Sequence, residues 1–200
     1  MAVLPFDLSM RSQDACWDRA RWEQLPDDGN RYEVVDGVLY MSTSPSLFHQ
    51  WIIREAFRIL ATQIDDLGLG TTFFAPIGLF MPGCDPVQPD LVVIRAADRS
   101  ILHDGHINGV PTVLVEVLSP SNPRYDLETK RKAYARAGVP EYVIFRPAAR
   151  DVMVCSQPDD SLGDYGHTEL IASDGQIELA TLPFRAQVAD FFAGAPDTTL

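Results

Sequence analysis

Two short stretches of the chain are almost wholly aliphatic: Leu91-Val92-Val93-Ile94, and Val113-Leu114-Val115 continued by Val117-Leu118. Continuous β-branched and aliphatic runs predict strands buried on both faces, over Pro89 to Arg95 and Thr112 to Leu118. Each strand carries one carboxylate, Asp90 in the first and Glu116 in the second. An ionised carboxylate in an apolar setting is costly unless it is paired or bound to a metal. The rest of the chain reads as scaffolding around that pair.

The remaining pattern predicts an α/β chain. Trp17, Trp22 and Leu25 among charges suggest an amphipathic helix over 14–25, after a loose lead-in at 1–13. Tyr32 to Val35 and Val38 to Met41 flank Asp36-Gly37, a sequence suited to a two-residue type I′ hairpin. Ser44 is the expected cap of the next helix, with Pro45 in its first turn. Trp51, Ile52, Ala56, Ile59, Leu60 and Ile64 then recur at helical spacing, and Gly68 and Gly70 end the helix. One strand is expected from Thr71 to Phe80, and a polar loop with one helical turn from Ala96 to Pro111. A helix follows the rigid turn at Ser119 to Pro123 and stops at Gly138. Buried strands are expected at Pro140 to Phe145 and Asp151 to Cys155. Shorter strands follow at 168–172 and 176–179, then a last helix from Phe184 to Phe192. The reading is a single domain over 1–200, a mixed sheet flanked by helices. Its core is 31–156 and its C-terminal strand and helix extension 157–200.

Composition narrows the function classes. Lys and Arg total 16 against 28 Asp and Glu, a formal charge of −12. Such a chain repels nucleic acid at long range, so a nucleic-acid role needs a local basic patch or bound cations. The hydrophobic content of 46% excludes wholesale disorder. Cys16, Cys84 and Cys155 lie far apart with no C-x-x-C spacing, which argues against a zinc site and a disulfide framework. A reducing cytoplasm is the expected compartment. The first ten residues lack the marks of a signal peptide, and no run is long enough for a membrane helix.

Alternation along a strand puts Glu116 and Leu118 on one face and Val115 and Val117 on the other. If the two acidic strands are neighbours, both carboxylates converge on one hard cation. Mg²⁺ takes one or two carboxylates together with waters and substrate phosphate. Each residue alone is equally well read as a strand-end carboxylate that takes up an arginine or a turn amide. The pair together favours the metal. Asp126, Lys130 and Tyr134 stand at i, i+4 and i+8, one stripe of a helix, which by spacing alone suits a weak surface ion pair. Arg124, Arg131, Lys132 and Arg136 form the densest basic segment, either a phosphate-facing patch or a solvated helix face. His103 and His106 lack an adjacent third ligand and read as loop residues.

The order of these motifs resembles a known family. The run Tyr32 to Gly37, then His49 opening a helix, Gln88-Pro89-Asp90, and Val115 to Ser121 recur as a set. Asp126, Lys130, Tyr134 and Gly138 to Tyr142 continue it. This resembles the Uma-type family of restriction-endonuclease-like proteins, a branch of the PD-(D/E)xK nuclease superfamily, over roughly 31–156. The resemblance implies a restriction-endonuclease-like fold, phosphodiester hydrolysis on DNA and dependence on Mg²⁺, with Mn²⁺ able to substitute. It makes Asp90 and Glu116 the metal ligands. The superfamily's lysine two residues after the glutamate is absent, since Leu118 stands there; the resemblance points to Lys130 as its replacement. It also implies that Glu33 adds a carboxylate from the hairpin, and that His49 contacts a phosphate or orients a water. Val143 and Arg146 depart from the family's usual Trp and Asp, beyond the catalytic set.

Two readings follow. The first is a Mg²⁺-dependent endonuclease, acting as a homodimer because cutting both strands of a duplex calls for two sites. Trp17, Trp22, Phe191 and Phe192 are the candidate interface residues, or else they pack on the core. The second is a catalytically degenerate relative that binds nucleic acid or another protein. The acidic charge and Leu118 favour the second, and the set of Asp90, Glu116 and Lys130 the first.

Overall fold

The computed structural model describes residues 10–12, 16–42, 45–120 and 122–196. Its first half contains β1 (Met10–Arg11), α1 (Arg19–Trp22), the hairpin β2 (Arg31–Val35) and β3 (Val38–Ser42), and the long helix α2 (Leu47–Leu60). Four strands follow: β4 (Gly70–Phe74), β5 (Gly78–Met81), β6 (Cys84–Val87) and β7 (Leu91–Arg95). After a small hairpin of β8 (Leu102–His103) and β9 (His106–Asn108) come β10 (Val113–Val117), α3 (Arg131–Arg136) and β11 (Glu141–Arg146). The tail adds β12 (Asp151–Asp159), β13 (Asp164–Ile171), β14 (Gln176–Glu178), β15 (Arg185–Gln187) and α4 (Val188–Phe192).

Where one mixed sheet was expected, two large ones form. The central sheet runs β13-β12-β11-β10-β7-β4 and the other runs β1-β3-β2-β6-β5-β9-β8. Each is mixed, with β10 and β11 parallel in one and β5 and β9 parallel in the other. The aliphatic runs behave as their pattern dictates. Val113, Val115 and Val117 face α2, α4 and the tail, while Leu114 and Leu118 face the second sheet and α3. The central sheet is thus buried on both faces, and this is why its strands carry no polar alternation.

β10 and β11 are parallel, so the chain between them must cross back over the sheet. That crossover is a π-helical turn over Tyr125–Lys130 running into α3, and Ala133 and Ala135 bury its inner side. Small residues there let the helix lie close to the sheet. The crossover therefore delivers Lys130 and Tyr134 to the face that carries Glu116.

Several local expectations need correction. The N-terminal helix over 14–25 is one turn, Arg19–Trp22, because the Asp18 side chain caps it by accepting the Arg21 N–H; part of that span, 14–15, lies outside the described residues. Ser46, not Ser44, caps α2, accepting the His49 N–H at 3.2 Å. Pro45 precedes that cap, and Ser44 lies outside the described residues. The strand expected from Thr71 to Phe80 is two strands in different sheets, parted at Ala75–Ile77. The loop from Ala96 to Pro111 holds a 3₁₀ turn and the β8–β9 hairpin. The tail helix begins at Val188, because Arg185–Gln187 pairs with β14. The Asp36-Gly37 turn is as expected, with φ of 50° and 74°, the two positive values that a type I′ turn requires.

The C-terminal extension is part of the same core. Phe191 and Phe192 are 1% and 4% exposed and pack on Phe145 at centroid distances of 4.8 and 6.3 Å. The buried Glu141 carboxylate accepts the N–H groups of Ala180 and Thr181 at 2.8 and 2.9 Å, pinning the segment before β15. The two phenylalanines are consequently not free to form the expected homodimer contact.

Candidate functional site

The site lies where five elements meet: the start of β7, the end of β10, the first half of β2, the first turn of α2 and the crossover helix. The register of the antiparallel β7–β10 pair sets Leu91 opposite Val115, so the next residues along, Asp90 and Glu116, come opposite each other. Their contact is direct. The Val117 N–H donates to Asp90 Oδ2 at 2.9 Å, and the Asp90 N–H reaches Glu116 Oε2 at 3.4 Å.

Each carboxylate has further partners. Arg31 Nη1 donates to Asp90 Oδ1 at 3.1 Å, and His49 Nε2 lies 3.2 Å from Asp90 Oδ2. Burial alone would raise the Asp90 pKa; His49, Arg31 and the Val117 N–H outweigh it and hold the carboxyl below its ordinary range. Glu116 Oε1 accepts from Lys130 Nζ at 2.7 Å and from the Tyr134 hydroxyl at 3.1 Å. Burial pushes the Glu116 pKa well up, and Lys130 only partly offsets it while Asp90, Asp126 and Glu33 add to it. The two facing carboxylates are thus driven apart in acidity by their surroundings.

Lys130 is the hub. Its ammonium, 2% exposed, stands 2.7 Å from Glu116, 3.1 Å from Glu33 and 3.5 Å from Asp126. Burial would lower its pKa, but the three carboxylates reverse that and hold it above the ordinary lysine value. At neutral pH it is a fixed cation and not a free base. The Tyr125 ring, stacked on Tyr40, covers it at 4.9 Å. Glu33 also accepts the Gln88 N–H at 2.7 Å, tying the β2 edge to the loop before Asp90. Burial raises the Asp126 carboxyl to about 6 against the pull of Lys130.

Residues 19–189 match the family described as "Putative restriction endonuclease", Uma2. The chain belongs to the Uma2 family. Among solved structures, it is similar to one described as "a putative nuclease belonging to DUF820" from Anabaena variabilis. The TM-score is 0.73 at 16% identity, covering 88% of this chain and 97% of that one. At that identity the likeness is one of fold, the mixed α/β architecture described above. No curated protein matches the chain.

In this Uma2 chain the structure gathers Glu33, His49, Asp90, Glu116, Asp126, Lys130 and Tyr134 in one place. The basic segment behaves differently. Arg124 pairs with Glu128, Arg131 with Asp164 and Arg136 with Asp36, at 2.9, 2.8 and 2.5 Å. Together with exposed Lys132 it is a solvated, acid-paired helix face and not a free phosphate patch. The residue that pattern reasoning missed is Arg31. Its signal was present, since Arg31 and Glu33 stand two apart on a strand and so share a face.

The donor set suits a hard divalent cation. Asp90 and Glu116 offer oxygen ligands side by side. Among the described residues no group of three His, Cys, Asp or Glu is placed to enclose a metal by itself. Mg²⁺ usually takes one or two carboxylates and completes its shell with waters and phosphate, a demand that these two oxygen donors fit.

Proposed function

We propose that the protein is a Mg²⁺-dependent endonuclease that hydrolyses phosphodiester bonds of DNA. The observation that carries this reading is the 2.7 Å contact between Lys130 and Glu116, with Asp90 facing that glutamate. An Asp–Glu–Lys set is rebuilt although Leu118 occupies the expected lysine position. This weakens the argument from Leu118 for a degenerate relative, while the argument from acidic charge stands.

Asp90 and Glu116 would hold the cation. When bound, Mg²⁺, or Mn²⁺ in its place, supplies Lewis-acid polarisation of the scissile phosphate and activation of water. The protein's own residues do the rest. Lys130, kept protonated by its three carboxylates, donates toward a non-bridging phosphate oxygen and stabilises the charge that develops there. Arg31 offers a second cation from the other side of Asp90. His49 and the Val117 N–H fix the Asp90 carboxylate, and Tyr134 fixes Glu116. Glu33 orients Lys130 and the Gln88 backbone, and Asp126 balances the ammonium from its own helix. A homodimer would bring two such sites to a duplex, with a surface other than Phe191 and Phe192.

The test is cleavage of plasmid and oligonucleotide DNA with Mg²⁺ or Mn²⁺, alongside calorimetric titration of Mn²⁺. Wild type should cleave and bind the ion, while Asp90→Asn and Glu116→Gln should do neither. Undiminished Mn²⁺ binding by both variants would sink the metal assignment. A wild type inert on every substrate would leave the binding-module reading.

A further inference from the structure

Beside Asp90 lies an open cavity of about 480 Å³ that the catalytic set does not use. We infer that it receives the base of an unpaired nucleotide next to the scissile phosphate, so that the substrate is single-stranded, frayed or flipped out at the point of cleavage. The inference rests on the nuclease reading for the identity of that phosphate.

Continuity with the site comes from Arg31 and Gln88. Both line the cavity, and Arg31 Nη1 lies 3.1 Å from Asp90 and 3.3 Å from the Gln88 carbonyl. Arg31 thus joins the carboxylate site to the cavity wall, touching Asp90 on one side and lining the cavity on the other.

The lining suits a base. Trp22, Leu25 and Pro76 supply flat or apolar wall, while Asn30 and the Gln88 side chain supply groups that can donate and accept. Trp22 is held in place: its Nε1–H donates to the Tyr32 carbonyl at 2.9 Å, and its ring meets Phe80 edge-on at 5.9 Å. A fixed aromatic next to a phosphate-facing arginine is the recurring arrangement for single strands.

Charge argues for the base and against a second phosphate. Glu23 and Asp27 also line the cavity, and Arg31 is its one cationic lining residue among those described. A phosphate inside would meet two acids, whereas a neutral base meets no such penalty. A base paired within a duplex is stacked and cannot enter a side cavity without leaving the helix.

The experiment is equilibrium binding in Ca²⁺ buffer, with Trp17→Phe and Trp51→Phe making Trp22 the sole tryptophan. The probes are a short labelled deoxy-oligonucleotide, the same strand with abasic sites, its duplex, and the ribo-oligonucleotide of the same sequence. The base-bearing single strand should quench Trp22. It should bind about five- to a hundredfold more tightly than the abasic strand of equal charge, the usual range for one stacked base. The duplex should bind more weakly, and the tighter of the deoxy- and ribo-strands names the source of the nucleotide. Trp22→Phe should keep most of the base dependence and Trp22→Ala should lose it. Ser42→Phe, which fills the cavity from its wall, should abolish it too and decides the matter if Trp22→Ala does not fold. Equal affinity for base-bearing and abasic strands, or a base dependence that survives Ser42→Phe, overturns the inference. The two readings fail separately. Base-dependent quenching without any cleavage in Mg²⁺ leaves the pocket standing and removes the nuclease. Cleavage without base dependence removes the pocket alone.

Discussion

Replacing Lys130 by methionine removes a charge while keeping an unbranched side chain of similar length. In the native site four buried carboxylates, Asp90, Glu116, Glu33 and Asp126, are balanced by Lys130 and Arg31, with His49 beside Asp90. Three of the four lie within 3.5 Å of the lysine ammonium. Removing one partner of a buried charge cluster costs about 3–5 kcal/mol, because the remaining charges stay buried without compensation. For a chain of this size that corresponds to a fall in Tm of about 6–20 °C.

The loss should depend on pH. In the variant Glu116 and Asp126, whose folded pKa values burial already raises, lose the ammonium that offsets that rise, so both move further above their unfolded values. The penalty is full above the folded pKa and disappears as pH falls through it, when the carboxyls take up protons. Lys130 in wild type stays charged throughout this range, since it deprotonates only in strongly alkaline solution, so the pH dependence comes from the carboxyls. The gap between the two proteins should be widest at pH 8 and narrower at pH 5. A divalent cation restores positive charge, so Mg²⁺ or Mn²⁺ should raise the Tm of the variant more than that of wild type. Thermal melts at both pH values, with and without metal, read all of this. A variant that melts within about 2 °C of wild type at pH 8 would refute the claim that Lys130 balances the cluster. Cleavage, assayed well below the variant's melt, should fall on the order of a hundredfold or more.

Three further outcomes are expected. Glu116→Gln relieves a surplus of negative charge and leaves Lys130 its other two carboxylates, so metal-free Tm should hold level or rise while the metal-induced shift vanishes in calorimetry. Leu118→Lys placed on Lys130→Met should recover part of the lost cleavage, because Leu118 follows Glu116 by two residues and packs on the same side of the sheet; no recovery in a folded double variant would count against exchangeable lysines. Phe191→Ala should cost about 3–5 kcal/mol in denaturant melts and leave the sedimentation coefficient unchanged, because the ring fills this chain's own core.

Much of the fold was legible because periodicity and burial agree over long stretches. The aliphatic runs around Asp90 and Glu116 became the two central strands, and α2 buries His49, Ile52, Ala56 and Ile59 on one stripe. Errors cluster where one local signal admits two outcomes. Ser44 and Ser46 flank Pro45 alike, and only the position of the first free N–H, that of His49, selects Ser46. The run from Thr71 to Phe80 is mostly apolar, yet Pro76 and Gly78 break it and its halves serve different sheets. β6 contains Pro86 and so does not read as a strand, although it pairs with β5 and β2.

The site was legible for a different reason, which also accounts for what was missed. A buried carboxylate is conspicuous because nothing in an apolar strand explains it, so Asp90 and Glu116 announce themselves. A cation that neutralises them is inconspicuous, because lysine and arginine are ordinary surface residues until the fold buries them. Lys130 was reached by resemblance to a family and not by its spacing, which fits a surface pair with Asp126 equally well. What makes it a buried hub is topology: parallel β10 and β11 demand a crossover, and the crossover must pass the face that holds Glu116. Arg31 needed only the alternation that puts it beside Glu33, together with the rule that buried acids recruit cations. Arg124, Arg131 and Arg136 show the reverse. Density of positive charge along a segment says little when Glu128, Asp164 and Asp36 answer it from nearby. In a chain with net charge −12, the informative cations are therefore those that the fold ties to buried acids: Lys130, the one fully buried lysine or arginine among the described residues, and half-buried Arg31 bind the same carboxylate cluster.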